Sequence, residues 1–350
     1  MQTPTSISEL QQLVTSHDQV LAVGNRTKPP LSETTATLIS TTKLTGITEY
    51  QSSEYTFTAL AGTTLAEIHS ALSEKGQYLP CAPLLRDAGA TLGGAIASGL
   101  SGPERFRYGG LRDFLLGIQF VSGDGSLHRS GGKVVKNAAG FDLPKFVVGS
   151  LGRFGILTEV TFKVFPSPTD FLTLKIPALP PEDALKIISR SASSRWEPNA
   201  LDYHPQHEAV YLQLGGPLSA LELLAKEIQN TFPGTTAHDD TIWESIRELT
   251  ILPSDQSIVK VPLTPKAIPA LEQSLSNTTS HYSVGGNLAL LATSDPAGLS
   301  ETLASQDLQG MTIRGSSPLW IGKQQSFAIH DAVKASLDHQ DKFPPLQETQ

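Results

Sequence analysis

Residues 90–103 read ATLGGAIASGLSGP and begin the most glycine-dense part of the chain. The 68 residues from Thr91 to Thr158 contain 15 of its 29 glycines. Glycine serves where the backbone takes a positive φ or lies against a ligand, and a pyrophosphate needs several converging backbone N–H groups. Thr91 can add a hydroxyl hydrogen bond, while Gly93 and Gly94 allow close approach. Taken alone, ATLGG is equally typical of a turn in a β-rich fold.

The glycines do not form the fingerprint of a Rossmann dinucleotide-binding fold. No G-x-G-x-x-G follows the first predicted strand, QVLAVG at 19–24. No acidic residue stands about 20 residues further on in a βαβ context. The Rossmann interpretation is therefore weak.

Five segments occur in a fixed order and are more specific together than any one alone. They are VGNRTK at 23–28, ATLGGAIASGLSGP at 90–103, RYGGLRDFLLGIQFVSGDG at 107–125, KNAAGFDLPKFVVGSLG at 136–152 and FGILTEVTFKVFP at 154–166. This series resembles the FAD-binding domain of the vanillyl-alcohol-oxidase type, also called PCMH-type. The resemblance covers roughly residues 20–166.

Within that superfamily the chain resembles the FAD-binding E subunits of bacterial glycolate oxidase (glycolate dehydrogenase). The discriminating features are SGP directly after the glycine pair and its helix, Arg112–Asp113 in GGLRDFLLG, and GGKVVKNAAGFDLPKFVVGSLG. The C-terminal AIHDAVKASLDHQDKFPP is a looser match.

The resemblance implies an α+β fold, in which two α/β subdomains form the FAD-binding domain and a smaller α+β domain forms a cap. Prolines at 166, 168, 177, 180 and 181 mark the boundary. We expect the FAD-binding domain at 1–168, the cap at 169–320, and a C-terminal helix and tail at 321–350 that return to the FAD-binding domain.

The resemblance also assigns cofactor-binding residues in three segments. The first pyrophosphate loop is Gly24, Asn25, Arg26, Thr27 and Lys28; the second loop and the flavin contacts are Thr91, Leu92, Gly93, Gly94, Ala97 and Ser98; and the residues along the nucleotide are Gly155, Ile156, Leu157 and Thr158. The implied cofactor is FAD, held without a covalent bond.

Three pairs of residues qualify this assignment. Asn25 can adopt a left-handed conformation, whereas Arg26 stands where the family commonly has glycine. Arg112–Asp113 lies either around the flavin or in a structural ion pair. Lys136–Asn137 belongs to the motif and is either a ligand contact or a turn.

The implied function is oxidation of glycolate to glyoxylate by a complex. In that complex this chain binds FAD beside a catalytic flavin subunit and an iron–sulfur subunit. The alternatives are a self-sufficient FAD-linked oxidoreductase acting on a small 2-hydroxy acid, and a flavin-free scaffold. We expect a cytoplasmic protein, and peripheral association with the inner membrane through partner subunits is left open.

Composition excludes several classes of function. The net charge of −8 disfavours nucleic-acid and anionic-membrane binding, which need a basic face. A single cysteine, Cys81, excludes an iron–sulfur cluster ligated by this chain alone. No run approaches the ~20 apolar residues that span a bilayer, so we expect no direct membrane insertion.

The sequence shows no convincing catalytic base or metal site. His204 and His207 flank Pro205, which breaks a helix, and on a strand positions i and i+3 face opposite sides. We therefore expect ordinary histidines there, and the same for His69, His128 and His281. Cys81 is expected to be a small buried thiol rather than a flavin tether.

Local patterns predict several helices. Apolar spacing predicts one over Ile7–Val14, and Thr64 with Glu67 predicts a capping box before another. Ser219 with Glu222 predicts a second capping box, and LEQSLSNT at 271–278 and roughly Ala328–Leu337 are also expected to be helical. ILTEVTFKVFP alternates like a strand.

Overall fold

The structure is a computed structural model that describes residues 1–132, 142–324 and 328–346. These residues form two compact units. The first unit takes the described residues of Met1–Ser101, Gly110–Ser167 and Ser326–Gln350, and the second takes those of Gly102–Gly109 and Pro168–Gln325. The assignment of 1–168, 169–320 and 321–350 as FAD-binding domain, cap and returning tail stays a prediction.

Helices and strands mix throughout both units, as the predicted α+β class requires. Up to Pro166 the elements in chain order are α1 (Ile7–Ser16), β1 (Val20–Val23), β2 (Thr37–Ser40), β3 (Ile47–Gln51), β4 (Thr56–Leu60), α2 (Leu65–Ser73), β5 (Gln77–Tyr78), α3 (Leu92–Ser98), α4 (Arg105–Tyr108), α5 (Leu111–Phe114), β6 (Leu115–Val121), β7 (Leu127–Gly131), α6 (Leu143–Phe146), β8 (Ile156–Lys163) and β9 (Phe165–Pro166). The remaining elements are β10 (Asp170–Pro177), α7 (Pro181–Ala192), β11 (Ala200–His204), β12 (Ala209–Gly216), α8 (Leu218–Thr231), β13 (Thr236–His238), α9 (Thr241–Arg247), β14 (Ser257–Pro262), α10 (Ile268–Ser274), β15 (Thr278–Ser283), β16 (Leu288–Thr293), α11 (Pro296–Ser305), β17 (Gln309–Arg314), β18 (Trp320–Gly322) and α12 (Ala328–Leu337).

The first unit contains a parallel pair, β1–β2, and a five-stranded antiparallel sheet in the order β3-β4-β8-β6-β7. Helix α1 begins after Ser6, whose hydroxyl accepts a hydrogen bond from Glu9 N. Its Leu10 and Val14, one helical turn apart, are fully buried with Val20 and Phe343. This core holds the base of β1 in place, and the loop after β1 begins the candidate site.

Strand β8 alternates as predicted: every second residue from Ile156 to Phe162 is buried. Phe162 stacks on Phe57 of β4 with ring centroids 6.0 Å apart. The buried face therefore anchors β8 in the middle of the sheet, and the Gly155 turn that precedes it is fixed by the same packing.

The second unit is built on a nine-stranded sheet in the order β13-β10-β12-β11-β15-β16-β14-β17-β18, whose assigned strand pairs are all antiparallel. One face is apolar and packs against α7, α8, α10 and α11, with Tyr203, Tyr282 and Val261 among its buried residues. We call the opposite face the polar face. Helix α9 covers one part of it, where Trp243 packs on Tyr211.

Two local predictions are wrong and the others hold. Helix α8 begins at Leu218 with Pro217 as its N-cap, so Ser219 already lies inside the first turn and cannot form the expected capping box with Glu222. Only the first half of LEQSLSNT is helical, because Thr278 begins β15. The Thr64–Glu67 capping box and the helix Ala328–Leu337 are confirmed.

Candidate cofactor site

The first predicted loop and the glycine pair come together in the first unit. Gly24 follows β1, and a β-carbon built on it would lie 2.2 Å from Thr91 Oγ1. Thr91 is the N-cap of α3, where its hydroxyl oxygen accepts a hydrogen bond from Gly94 N at 3.2 Å. Gly24 therefore lets the backbone after β1 lie directly against the start of α3.

The exact shape of the loop after Gly24 could not be predicted from the sequence. Arg26, and not Asn25, has a left-handed backbone with φ of 53°. The Asn25 side chain instead donates a hydrogen bond to Gly89 O at 2.7 Å. This bond fixes the loop to the segment before α3, so the left-handed turn falls on the next residue.

Lys28 is the most informative side chain of this loop. It is only 8% exposed, and its ammonium donates to Thr27 Oγ1 at 3.1 Å. Burial lowers its pKa from the ordinary value to about 8. No acidic side chain pairs with it among the described residues. A buried cation without a counter-ion is costly, so this position fits an anionic ligand.

Two cavities meet at Gly24, Gly94 and Ala97, and together they form one elongated space. The polar end is lined by Asn25, Arg26, Thr27, Lys28, Ser32, Thr91 and Ser98, among others. The apolar end is lined by residues that include Val23, Ala61, Gly93, Phe120, Val147, Phe154, Gly155 and Leu157. A dinucleotide has this division, with charged phosphates beside flat apolar rings, so the residues present fit FAD.

Small residues are required where α3 meets the rest of this space. A β-carbon on Gly93 would lie 2.9 Å from Ala61 Cβ. Gly155 has a φ of 151°, and a β-carbon there would lie 2.8 Å from the Phe120 ring. The structure brings both glycines to the apolar end, which supports their predicted role.

Three predicted residues do not line this space with their side chains. Leu92 and Ile156 are fully buried in the core. Thr158 is fully buried as well, and its hydroxyl donates to Gln119 Oε1 at 3.2 Å. Only backbone contacts with a ligand are open to them. Conversely, sequence reasoning did not find Ala61, Phe120, Val147 and Phe154, because apolar residues inside strands and turns carry no local signal for a ligand.

Of the two charged residue pairs in the motifs, Arg112–Asp113 lies within the described residues and Lys136–Asn137 does not. Arg112 and Asp113 do not form the ion pair that was one of the two expectations: Asp113 accepts a hydrogen bond from Gly110 N at 2.8 Å, and no salt bridge joins the two side chains within the described part of the chain. Lys136 and Asn137 lie outside the described residues.

Histidines cluster in the second unit, contrary to expectation. A short 3₁₀ turn at Pro205–His207 folds the chain back, so the rings of His204 and His207 lie 4.1 Å apart at their centroids. His281 lies 5.5 Å from His204 and bonds Asp202 Oδ2 through Nε2 at 2.9 Å. The two positions do not alternate as they would on a strand, because a turn separates them.

Two of these histidines, His204 and His281, are buried, whereas His207 is exposed. His281 and Asp202 are both fully buried. Burial, together with the neighbouring His281 and His207, lowers the pKa of His204 to about 3. In the part of the chain that the structure describes, no three His, Cys, Asp or Glu side chains are arranged to hold a metal. The Cys81 side chain is fully buried.

Residues 2–131 match the family model described as "FAD binding domain". In that stretch the chain is similar to the FAD binding domains of this family. The match begins before the loop of Gly24–Lys28 and contains the glycine pair, so the predicted cofactor is confirmed. The segment Gly155–Thr158 lies beyond it.

Similar proteins include two curated relatives and one solved structure. The glycolate oxidase subunit GlcE of Escherichia coli (strain K12) is 46% identical over 130 residues, which are 37% of this chain and 37% of that protein. The D-lactate dehydrogenase of Archaeoglobus fulgidus is 32% identical over 167 residues, 48% of this chain and 36% of that protein. A structure of alkyldihydroxyacetonephosphate synthase superposes with a TM-score of 0.72 at 15% identity, covering 99% of this chain and 75% of that one. The predicted PCMH-type fold is confirmed.

The matched stretches cover well under half of these two curated relatives. Among residues 1–132, 142–324 and 328–346, no helix combines the length and the apolar character that crossing a bilayer demands.

Proposed function

We propose that this chain is the FAD-binding subunit of a complex that oxidises glycolate to glyoxylate. The main support is the elongated space in a region that matches FAD binding domains. The buried Lys28 ammonium lies at the polar end of this space. Similarity to the GlcE subunit over 130 residues supports the choice of glycolate. The similarity of 30% over 190 residues to the glycolate oxidase subunit GlcD of Bacillus subtilis supports a multi-subunit assembly.

We propose three roles for the predicted residues. Gly24, Asn25, Arg26, Thr27 and Lys28 hold the pyrophosphate, with the loop shape set by Asn25 and Arg26. Thr91, Gly93, Gly94, Ala97 and Ser98 line the cofactor along α3, and Leu92 contributes backbone alone. Gly155, Ile156, Leu157 and Thr158 lie along the nucleotide, where Leu157 offers a side chain.

The chemistry of the chain's own residues is binding and exclusion of water. When bound, FAD supplies the two-electron acceptor for oxidation of an alcohol to a carbonyl. Lys28 neutralises phosphate charge in a buried position, where the interaction is stronger than in water. Ala61, Phe120 and Phe154 keep water from the apolar end. Cys81 takes no covalent part, since its thiol is fully buried and lines neither cavity.

The proposed partners are a catalytic flavin subunit and an iron–sulfur subunit. One buried cysteine cannot ligate an iron–sulfur cluster, so the cluster belongs to another chain. We propose a cytoplasmic location, with any association with the inner membrane made through these partners.

The second candidate is a self-sufficient FAD-linked oxidoreductase for a small 2-hydroxy acid. The similarity to the D-lactate dehydrogenase of Archaeoglobus fulgidus favours it. Against it, the one Asp–His pair of the polar face among the described residues, Asp202 with His281, is fully buried and so cannot reach a substrate as the structure stands.

One preparation tests both candidates. The tagged chain is purified with whatever accompanies it, and flavin is measured after acid denaturation. We expect one FAD per chain, released into solution. Glycolate is then added anaerobically to the isolated chain and to the complex. Bleaching of the flavin band in the complex alone supports the first candidate, and bleaching in the isolated chain overturns it in favour of the second. A colourless chain in both preparations overturns both.

A further inference from the structure

Residues 338–343, DHQDKF, follow α12 and fold back on the base of β1 in the first unit. We call these six residues the hook. The Phe343 ring is fully buried in one core cluster with Leu10 of α1 and Val20 of β1. Lys342 O accepts a hydrogen bond from Val20 N at 2.8 Å. The hook is therefore attached to β1 both by a backbone hydrogen bond and by a shared apolar core.

Asp338 gives the hook its shape. Its side chain is fully buried. Its carboxylate oxygens accept hydrogen bonds from Lys342 N at 3.0 Å, from Phe343 N at 2.9 Å and from the Lys334 ammonium at 2.7 Å. A buried carboxylate is costly unless it is paired and hydrogen-bonded. These three bonds therefore hold the backbone in the turn that brings Lys342 O to Val20 N.

The hook also lies against the turn that follows β6. A β-carbon on Gly123 would lie 2.5 Å from Asp338 Oδ1 and 3.2 Å from Lys342 Cβ. Gly123 stands two residues after the end of β6, and β6 carries Phe120, which lines the apolar end of the cofactor space. The hook thus contacts the bases of two strands, β1 and β6, that lead into this space.

Strand β1 connects the hook to the candidate cofactor site. Its first residue, Val20, is bonded to the hook, whereas Ala22, Val23 and the following Gly24 line both cavities. Among the described residues, β1 has β2 as its single strand partner. The amide of Val20 is satisfied by the hook and not by a neighbouring strand. Any shift of the hook is therefore passed to Gly24 within four residues.

We propose that Asp338 and Phe343 are positioning residues for FAD. By docking the hook on Val20 they hold β1, and through it the loop Gly24–Lys28, in the shape that binds the cofactor. The inference rests on the proposed role of that loop in binding pyrophosphate. Neither residue lines the cofactor space, so both act through β1. Docking of the hook and binding of FAD are then coupled, and each favours the other by the same factor.

Fluorescence titration of the flavin-free full chain with FAD measures this coupling. Asp338→Asn keeps the shape of the side chain, but an amide has one acceptor oxygen in place of two, so an N–H of the hook loses its partner. Phe343→Leu leaves the hydrogen bonds and removes part of the buried contact. We expect each variant to bind FAD about tenfold more weakly than the parent, within the usual range for coupling between two sites.

Phe162→Leu is the matched control for Phe343→Leu. Both rings are fully buried in the first unit, but Phe162 stacks on Phe57 of β4 and lines neither cavity. It should lower the melting temperature and leave the FAD affinity of the folded chain unchanged. All titrations are run where circular dichroism shows the variant to be folded. An equal loss of affinity in the control would show that reduced stability alone weakens binding, and would overturn the proposal.

Hydrogen exchange on the unsubstituted chain tests the coupling even where Asp338→Asn does not fold. Saturating FAD should slow exchange of the Val20, Lys342 and Phe343 amides by about tenfold, because FAD favours the docked hook. The partly exposed turn Ser52–Glu54 is the internal reference and should exchange at the same rate with and without FAD. Unchanged exchange in the hook would overturn the proposal, as would parent-level FAD affinity in folded Asp338→Asn and Phe343→Leu.

Failure of this proposal can be told apart from failure of the proposed function. If the parent binds FAD and its complex oxidises glycolate while both hook variants bind FAD as tightly as the parent, the role of the hook alone is wrong. A parent chain that binds no FAD would overturn the proposed function and the role of the hook together.

Discussion

Gly24 and Thr91 are in contact without room for a single additional carbon, since a β-carbon on Gly24 would lie 2.2 Å from Thr91 Oγ1. The contact joins the loop after β1 to the start of α3, which line the same space. Gly24→Ala should therefore push the two segments apart and weaken FAD binding by about tenfold or more. The measurement is flavin content after purification and titration with FAD.

Gly132→Ala is the control for this substitution, because a β-carbon there meets nothing within 4 Å and the backbone is not left-handed. It should retain flavin at the parent level. Full flavin content in Gly24→Ala would show that the loop after β1 does not hold the cofactor.

Lys28 gives FAD binding a defined pH dependence. In the FAD-free chain its pKa is lowered to about 8 by burial, so the ammonium loses its proton as pH rises through that value. Because a pyrophosphate binds the protonated form, FAD affinity should be level below pH 8 and fall by up to about tenfold per pH unit above it. Fluorescence titration with FAD from pH 6 to 10 measures this.

Lys28→Met should remove this pH dependence and weaken binding below pH 8, whereas Lys43→Met, at an exposed position, should change neither.

The stability of the FAD-free chain depends on pH in the opposite direction from FAD affinity. Since the folded pKa lies below the ordinary 10.5, the unfolded chain binds more protons between pH 8 and 10.5. Stability of the parent should therefore rise with pH across that window, and Lys28→Met should lose this rise.

The sequence predicted the cofactor and its glycines better than the shape of the loop. Gly93, Gly94 and Gly155 lie where a β-carbon would come close to a neighbouring residue. They could be predicted because they belong to segments that occur in a fixed order along the chain. Arg26, which is left-handed, stands where the resembled family commonly has glycine. The bond between Asn25 and Gly89 O, 64 residues apart in sequence, is not revealed by any local pattern. The clustering of His204 and His281 depended equally on strand pairing across 77 residues.

The second unit was less predictable for a physical reason. Its strands were visible as apolar runs, but the face that each side chain joins follows from register between strands distant in sequence. The side chains of β14 could therefore be assigned to the two faces only once this strand was placed between β16 and β17.

Arg26 carries backbone strain that glycine would not. A left-handed conformation costs a non-glycine residue about 1 kcal/mol or more. Arg26→Gly should therefore stabilise the FAD-free chain by roughly that amount, less the greater chain entropy that glycine restores to the unfolded state. Arg26→Ala keeps the β-carbon and should not stabilise. Urea denaturation of the two variants separates the effect of backbone strain on stability from the effect of the lost charge. Both variants should also bind FAD more weakly if the guanidinium contacts phosphate.

We expect Asp202 to contribute strongly to the unfolding free energy through its contacts on the polar face. Its carboxylate is fully buried and accepts from both His281 and Val284 N. Asp202→Asn keeps the shape but removes the charge that the buried imidazole faces, and should cost about 3 kcal/mol of unfolding free energy. Glu197→Gln breaks an exposed ion pair with Arg107, since the Glu197 side chain is 71% exposed, and should cost about 0.5 kcal/mol. Chemical denaturation of the two variants measures both. Equal losses would mean that the Asp202–His281 pair contributes no more than a surface contact, and a larger loss in Glu197→Gln would assign the anchoring role to the segment that carries Arg107.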